Sequence, residues 1–189
     1  MEEKQYYMAC LDLEGRRCLV VGGGKIAHEK IVGLVACGAL VTVVAPEALP
    51  EVQALAAEWR QRAYESADLE GQLFVVAATD IRELNERVSQ DAEARGMLCN
   101  VVDQPDLCSF ILPAVHRSGP IAVAISTGGA SPALAQRMRD EIAERYDERY
   151  VALARRLREL RPAAKEKFAT YEERKEYFQQ LVEEELGPK

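Results

Sequence analysis

Three consecutive glycines, Gly22-Gly23-Gly24, follow the apolar run Cys18 to Val21 and precede the helix-like stretch Lys25 to Cys37. Read as Gly22-x-Gly24-x-x-Ala27, they fit the strand, turn and helix that hold a dinucleotide. The first glycine permits a tight turn, the second lets backbone approach a pyrophosphate without a Cβ in the way, and Ala27 is small enough for close packing of helix on strand. The helix N-terminus then faces the phosphates with N–H groups that have no partner within the helix. A bare glycine pattern also arises as an ordinary strand-to-helix turn, so the surrounding elements must give it meaning.

A second chemical feature is Asp103, which closes the apolar segment Asn100-Val101-Val102-Asp103-Gln104-Pro105. If that segment is a strand of the same sheet, the carboxylate stands on the rim that carries the glycine turn. There it can accept a proton while a neighbouring carbon gives hydride to a nicotinamide. Asp103 also suits a cap of the Gln104-Pro105 turn, and spacing alone leaves both readings open. The segment Ser126-Thr127-Gly128-Gly129-Ala130-Ser131-Pro132 combines hydroxyls, glycine N–H groups and a helix start. It reads as an anion site or as no more than a flexible lead into a helix. Arg117, Arg137 and Arg139 either offer charge to ligand carboxylates or are simply solvated. For the cofactor, NAD sites usually place Asp or Glu at the end of the second strand. That end is Val44-Ala45-Pro46-Glu47, where only the displaced Glu47 can serve, and no arginine stands nearby to receive a 2′-phosphate. NAD is therefore favoured over NADP.

The elements that must position these residues alternate between strand and helix. Leu40 to Ala45 reads as a buried parallel strand, Pro50 to Trp59 as a helix, Arg62 to Tyr64 as a weak third strand and Leu73 to Ala78 as a stronger one. Thr79-Asp80 is a candidate N-cap for a helix over Ile81 to Ala94, and Met97 to Val102 makes a fifth strand. This order predicts an α/β fold, a Rossmann-like doubly wound parallel sheet, with ligands beyond the carboxyl ends of its strands. The pattern changes at Pro105. Cys108 to Val115 and Ile121 to Ile125 read as extended strands outside that sheet, joined through the turn-rich His116 to Pro120. Ser131 as N-cap with Pro132 in the first turn starts a helix over Ala133 to Arg161, which Pro162 ends or kinks. Ala163 to Leu186 holds one or two more helices.

Composition sets the outer limits. With 189 residues, 48% of them hydrophobic and 29% charged, the chain has the make-up of a globular protein with room for one full domain and an appendage. No apolar run reaches the roughly 18 residues a membrane span needs, and Met1 to Tyr7 lacks an apolar leader core, so a cytoplasmic location without membrane association is expected. Five cysteines without C-x-x-C spacing suggest neither a disulfide framework nor a zinc site, and two histidines are too few for a metal cluster. The net charge of −7 argues against nucleic acid as a partner. Thirteen basic and thirteen acidic residues lie from Ala133 onward, leaving 11 of the 24 basic and 18 of the 31 acidic residues before it. All the excess negative charge thus belongs to the amino-terminal part.

Taken together, five ordered motifs resemble the precorrin-2 dehydrogenase family, which includes the amino-terminal module of siroheme synthase. They are Val20-Val21-Gly22-Gly23-Gly24-Lys25-Ile26-Ala27-x-x-Lys30, Ala77-Ala78-Thr79-Asp80, Cys99-Asn100-Val101-Val102-Asp103-x-Pro105, Ser109-Phe110-x-x-Pro113-Ala114 and Ser126-Thr127-Gly128-Gly129-x-Ser131-Pro132. The likeness runs from about Leu11 to Arg174. It implies NAD-dependent oxidation of precorrin-2 to sirohydrochlorin, with ferrous iron inserted by some relatives. It also implies Asp103 as the catalytic carboxylate and cofactor contacts at Gly22, Gly23, Gly24, Lys25, Ile26, Pro46, Glu47 and Thr79. Substrate contacts are implied at Asn100, Arg117, Ser126, Thr127, Gly128 and Arg137, where a many-carboxylate tetrapyrrole would give the arginines a purpose. The implied organisation is a Rossmann domain over 1–112, a dimerisation segment over 113–147, a helical domain over 148–189, and a homodimer. The chain carries no methyltransferase domain up to Lys189, so methylation of the precursor is expected elsewhere. Two other functions compete: a module that binds NAD and does no chemistry, and a chelatase that has lost oxidation.

Overall fold

β1 (Arg17–Val21), β2 (Leu40–Val44) and β4 (Phe74–Ala77) are short, valine-rich runs whose side chains are all buried except the first of β1 and of β2. Strands apolar on both faces require cover on both, which a parallel sheet between helices supplies. The structure, a computed structural model describing residues 5–187, has that sheet. With β3 (Glu58–Arg60) and β5 (Leu98–Val101) the order is β3-β2-β1-β4-β5, every neighbouring pair parallel. Alternation along β1 divides the core. Cys18 and Val20 face Ala27, Ile31 and Leu34 of α1 (Lys25–Val35) and Val52 of α2 (Pro50–Leu55). Leu19 and Val21 face Val88 and Ala92 of α3 (Arg82–Glu93).

Register then aligns the functional ends. Val21 lies opposite both Val44 and Ala77, and Ala77 opposite Val101. The ladder continues one residue further through Gly22 N–H to Val44 O, Ala78 N–H to Val21 O and Val102 N–H to Ala77 O, at 2.8–3.0 Å. Four strands therefore stop at one level, and the order reverses between β1 and β4, where such sheets open a crevice.

Three expectations for this region need correction. The helix starting at Pro50 stops at Leu55, and the third strand is Glu58–Arg60, with neither Trp59 in the helix nor a strand at Arg62 to Tyr64. Trp59 is drawn to the edge of the sheet because its indole N–H donates to the Ala45 carbonyl at 3.1 Å while β3 pairs with β2. The N-cap of α3 is Ile81, not Thr79 or Asp80, and the Thr79 hydroxyl accepts the Ile81 N–H from outside the helix.

The chain divides after Leu112 into two compact units. In the second, β6 (Ala114–Ser118) and β7 (Ile121–Ile125) form an antiparallel hairpin. Its turn is only Gly119-Pro120, with Gly119 at φ +54°, so His116, Arg117 and Ser118 belong to a strand rather than to the expected connection. Ser131 caps α4 (Pro132–Arg145), its hydroxyl accepting the Leu134 N–H at 3.2 Å. The expected single helix to Arg161 is broken at Tyr146-Asp147, where Asp147 caps α5 (Glu148–Lys167). Pro162 lies inside α5 and does not end it. α6 (Tyr171–Leu186) begins with a capping box between Thr170 and Glu173. Among the described residues, no helix is long and apolar enough to cross a membrane.

Candidate active site

A cavity of about 820 Å³ opens above the aligned strand ends of the first unit. Gly22 to Ile26 line it after β1, Ala45 to Glu47 after β2, Ala78 to Ile81 after β4, and Val102 to Gln104 after β5. The residues expected at a cofactor, Gly22, Gly23, Gly24, Lys25, Ile26, Pro46, Glu47 and Thr79, therefore share one wall system with Asp103.

The three glycines do different work. Gly22 has φ +119°, and a Cβ there would run into the Ala78 carbonyl. A Cβ on Gly23 would run into the Glu47 carbonyl, so the middle glycine, which the motif leaves unspecified, is required by the chain itself. Gly24 differs. Its φ is an ordinary −87°, and a Cβ built on it would have nothing within 4 Å. Neither strain nor packing asks for glycine here, and the missing methyl leaves room for a ligand to approach the backbone. Gly24 is also the N-cap of α1, without a side-chain cap and without an acidic residue in the first turn. The first-turn N–H groups and the Lys25 ammonium thus form a positive end fitted to a pyrophosphate. On these observations the cradle fits a nicotinamide dinucleotide.

Asp103 is the one non-glycine residue with positive φ among those described, at +59°. Aspartate tolerates this left-handed region better than most residues. Its backbone is held from below. The Cys108 thiol accepts the Val101 N–H and lies 3.1 Å from the Val101 carbonyl and 3.4 Å from that of Gln104. Asn100 Nδ2 donates to the Phe110 carbonyl at 3.0 Å, and Ser109 Oγ accepts the Cys99 N–H at 2.7 Å. Asn100 is accordingly buried, 7% exposed, and stands next to the cavity-lining Val102 and Asp103 without lining the cavity itself. The Asp103 carboxylate itself is exposed on the rim. Gln104 N–H bonds to the Val101 carbonyl, and no side chain caps the turn that starts at Pro105. Of the two readings left open by spacing, the structure does not bear out the cap.

The remaining expected substrate residues lie in the second unit. Ser126, Thr127 and Gly128 follow β7, and their polar groups are engaged within the loop. Ser126 Oγ accepts the Gly128 N–H at 3.1 Å, and Thr127 Oγ1 accepts the Ser131 N–H at 3.0 Å. Arg137 pairs with Glu141 and Arg139 with Asp140, both at 2.7 Å. Arg117 is an exposed residue of β6. Exposed pairs such as that of Arg137 contribute little and exchange readily for a ligand carboxylate.

Comparison with known proteins agrees with this geometry. Residues 9–114 match the family described as "Putative NAD(P)-binding", and residues 118–145 that described as "Sirohaem biosynthesis protein central". A solved structure, SirC, precorrin-2 dehydrogenase, is 30% identical with a TM-score of 0.79, covering 96% of this chain and 92% of that one. The chain belongs to the precorrin-2 dehydrogenase family. Siroheme synthases of Methylobacillus flagellatus and Thioalkalivibrio sulfidiphilus are 41% and 40% identical over 94% of this chain. The alignment covers 39% and 37% of those proteins, so the chain spans about two fifths of the length of these relatives.

Within this member of the precorrin-2 dehydrogenase family, several residues around the cleft carry no signal in the motif. Buried Asn85 accepts from the Thr79 hydroxyl at 2.7 Å and donates to the Thr79 carbonyl at 3.0 Å, fixing a cavity residue from α3. Tyr64 lines the cavity and donates to Asp91 at 3.0 Å. Burial, and then the Asp91 carboxylate, pushes its phenol above the ordinary range, so it stays protonated. The expectation that no arginine stands near the end of β2 is corrected. Arg60 lies opposite Val44 in the sheet, and Arg62 Nη1 donates to the carbonyl of cavity-lining Ala63 at 2.9 Å. Pairing of β3 with β2 brings these arginines there, across a sequence distance the motif does not span.

Asp68, 1% exposed, joins the two arginines. Burial raises its carboxyl, but hydrogen bonds from Arg62, the Glu65 N–H and Arg60 outweigh that and hold it at about 2. A depressed carboxylate gives stability that is present above its unfolded-state pKa and lost as pH falls through the folded value. Asp68→Asn is therefore expected to flatten the decline in stability between about pH 4 and pH 2. Denaturant unfolding at stepped pH checks this, and an unaltered acid limb would contradict it.

Proposed function

We propose that this chain oxidises precorrin-2 to sirohydrochlorin, with NAD as hydride acceptor and Asp103 as general base. One observation carries the reading: a glycine cradle suited to a pyrophosphate and an exposed carboxylate line a single cleft. The first-turn N–H groups of α1 and Lys25 hold the phosphates, and Glu47 accepts hydrogen bonds from ribose hydroxyls. When bound, the nicotinamide supplies the hydride-accepting carbon. Asp103 takes the proton that leaves the macrocycle and, being exposed, passes it to water. The balance is complete: two hydrogens leave the substrate, one with its electron pair to the nicotinamide and one as a proton to the carboxylate.

Arg117, Arg137 and the Ser126 to Gly128 loop are proposed to receive substrate carboxylates, residues 113–147 to join two copies as a homodimer, and the helices of 148–189 to form a separate domain. Ferrous iron, where inserted, is a second substrate. Anaerobic incubation with precorrin-2, adding NAD and ferrous iron separately, tests these steps by absorbance. Sirohydrochlorin is expected only when NAD is present. NAD binding without any sirohydrochlorin would favour a module that does no chemistry, and metal insertion into sirohydrochlorin without NAD-dependent oxidation would favour the chelatase.

A further inference from the structure

Resting on the dinucleotide reading of the cleft, we propose that Asp68 sets cofactor preference by occupying Arg60 and Arg62, which would otherwise attract the 2′-phosphate that distinguishes NADP from NAD. Both arginines flank the wall formed after β2. The Arg60 carbonyl accepts the N–H of Ala45, next to Pro46-Glu47, and Arg62 bonds to the carbonyl of Ala63 on the same cavity. Arginine at this end of a Rossmann cleft is the usual partner of a 2′-phosphate.

Here five of the six guanidinium nitrogens already donate to a carboxylate. Arg60 gives Nε and Nη2 to Glu58 at 2.8 and 3.2 Å, and Nη1 to Asp68 at 2.7 Å. Arg62 gives Nη1 and Nη2 to the two oxygens of Asp68 at 2.9 and 2.6 Å. Each guanidinium thus has a carboxylate partner, Glu58 being shared with Arg17 at 3.7 Å. Asp68 is also fixed by the Glu65 N–H at 2.9 Å, so it does not swing aside. A phosphate arriving at this wall meets arginines already paired with carboxylates, and Glu47 repels it. NAD, whose ribose offers hydroxyls instead, meets no such penalty.

Asp68→Asn keeps the shape and one accepting oxygen but removes the charge that holds the arginines. Isothermal titration of the full chain with NAD+ and with NADP+ reads the effect without turnover. The variant is expected to bind NADP+ on the order of tenfold or more tighter than the unmodified chain, with NAD+ affinity changed less than about twofold. Adding Arg62→Gln should reverse the gain, and Glu58→Gln, which releases Arg60 from an exposed partner, should produce a smaller gain in a fold that keeps Asp68. An Asp68→Asn chain that binds NAD+ normally with its NADP+ affinity unchanged overturns the proposal, as does a gain that survives Arg62→Gln. Should Asp68→Asn not fold, an unchanged NADP+ affinity in Glu58→Gln overturns it. Failure of the unmodified chain to bind either dinucleotide would remove the reading of the cleft and this proposal with it.

Discussion

Asp103→Asn is expected to lower the rate of sirohydrochlorin formation by roughly 10²–10⁴-fold, the usual worth of a positioned general base, while NAD affinity stays within about twofold. Asparagine is the informative substitution because it also tolerates positive φ, so the loop at +59° keeps its conformation. It matches the carboxylate in size but carries no charge and cannot take a proton. The Cys108 and Asn100 contacts hold main chain and neighbouring segments, not the Asp103 side chain, and are untouched by the change. The loss should fall on kcat and kcat/KM together, because the interaction removed is made as the proton leaves. Single-turnover absorbance under anaerobic conditions measures the step, and titration with NAD+ reports the cleft. Turnover like that of the unmodified chain would strip Asp103 of its role. A joint collapse of turnover and NAD binding would mean that the substitution had disturbed the cradle instead.

The parts of the fold legible in the sequence are those where one local signal suffices. β1, β2 and β4 are doubly buried valine runs, and the glycine triplet and Ser131-Pro132 mark the turns that follow or begin elements. Strand order alone puts Asp103 on the rim, and it lines the cleft with the glycines. Signals that depend on pairing were not legible. Trp59 looks like the end of a helix until β3 docks on β2, and only that docking brings Arg60 and Arg62 beside the cleft. Gly23 is needed because the Glu47 backbone passes over it, a contact between residues 24 positions apart in sequence. Thr79 looks like a helix cap by type, yet its hydroxyl also serves buried Asn85 one turn into α3. Pro162 reads as a terminator, but α5 continues through it to Lys167.

Gly22→Ala and Gly24→Ala are expected to fail in opposite ways, which separates what the chain demands of its glycine turn from what a ligand demands. At Gly22 the alanine must adopt φ +119° and press its methyl on the carbonyl of Ala78, a residue whose N–H is tied to the Val21 carbonyl of β1. Left-handed backbone alone costs roughly 1–2 kcal/mol for an alanine, and the steric conflict adds to it. A total loss of about 2–4 kcal/mol is expected, a large share of the stability of a domain this size. At Gly24 the same methyl meets open space at an ordinary φ of −87°, so the cost to stability should stay within about 1 kcal/mol. The methyl there occupies the volume through which a pyrophosphate would reach the first-turn N–H groups, and NAD+ affinity should drop on the order of tenfold or more. Denaturant unfolding and dinucleotide titration on both variants check the pair. If Gly24→Ala bound NAD+ as well as the unmodified chain, the phosphates would not lie over the start of α1, and the cleft would have to hold its ligand by another wall.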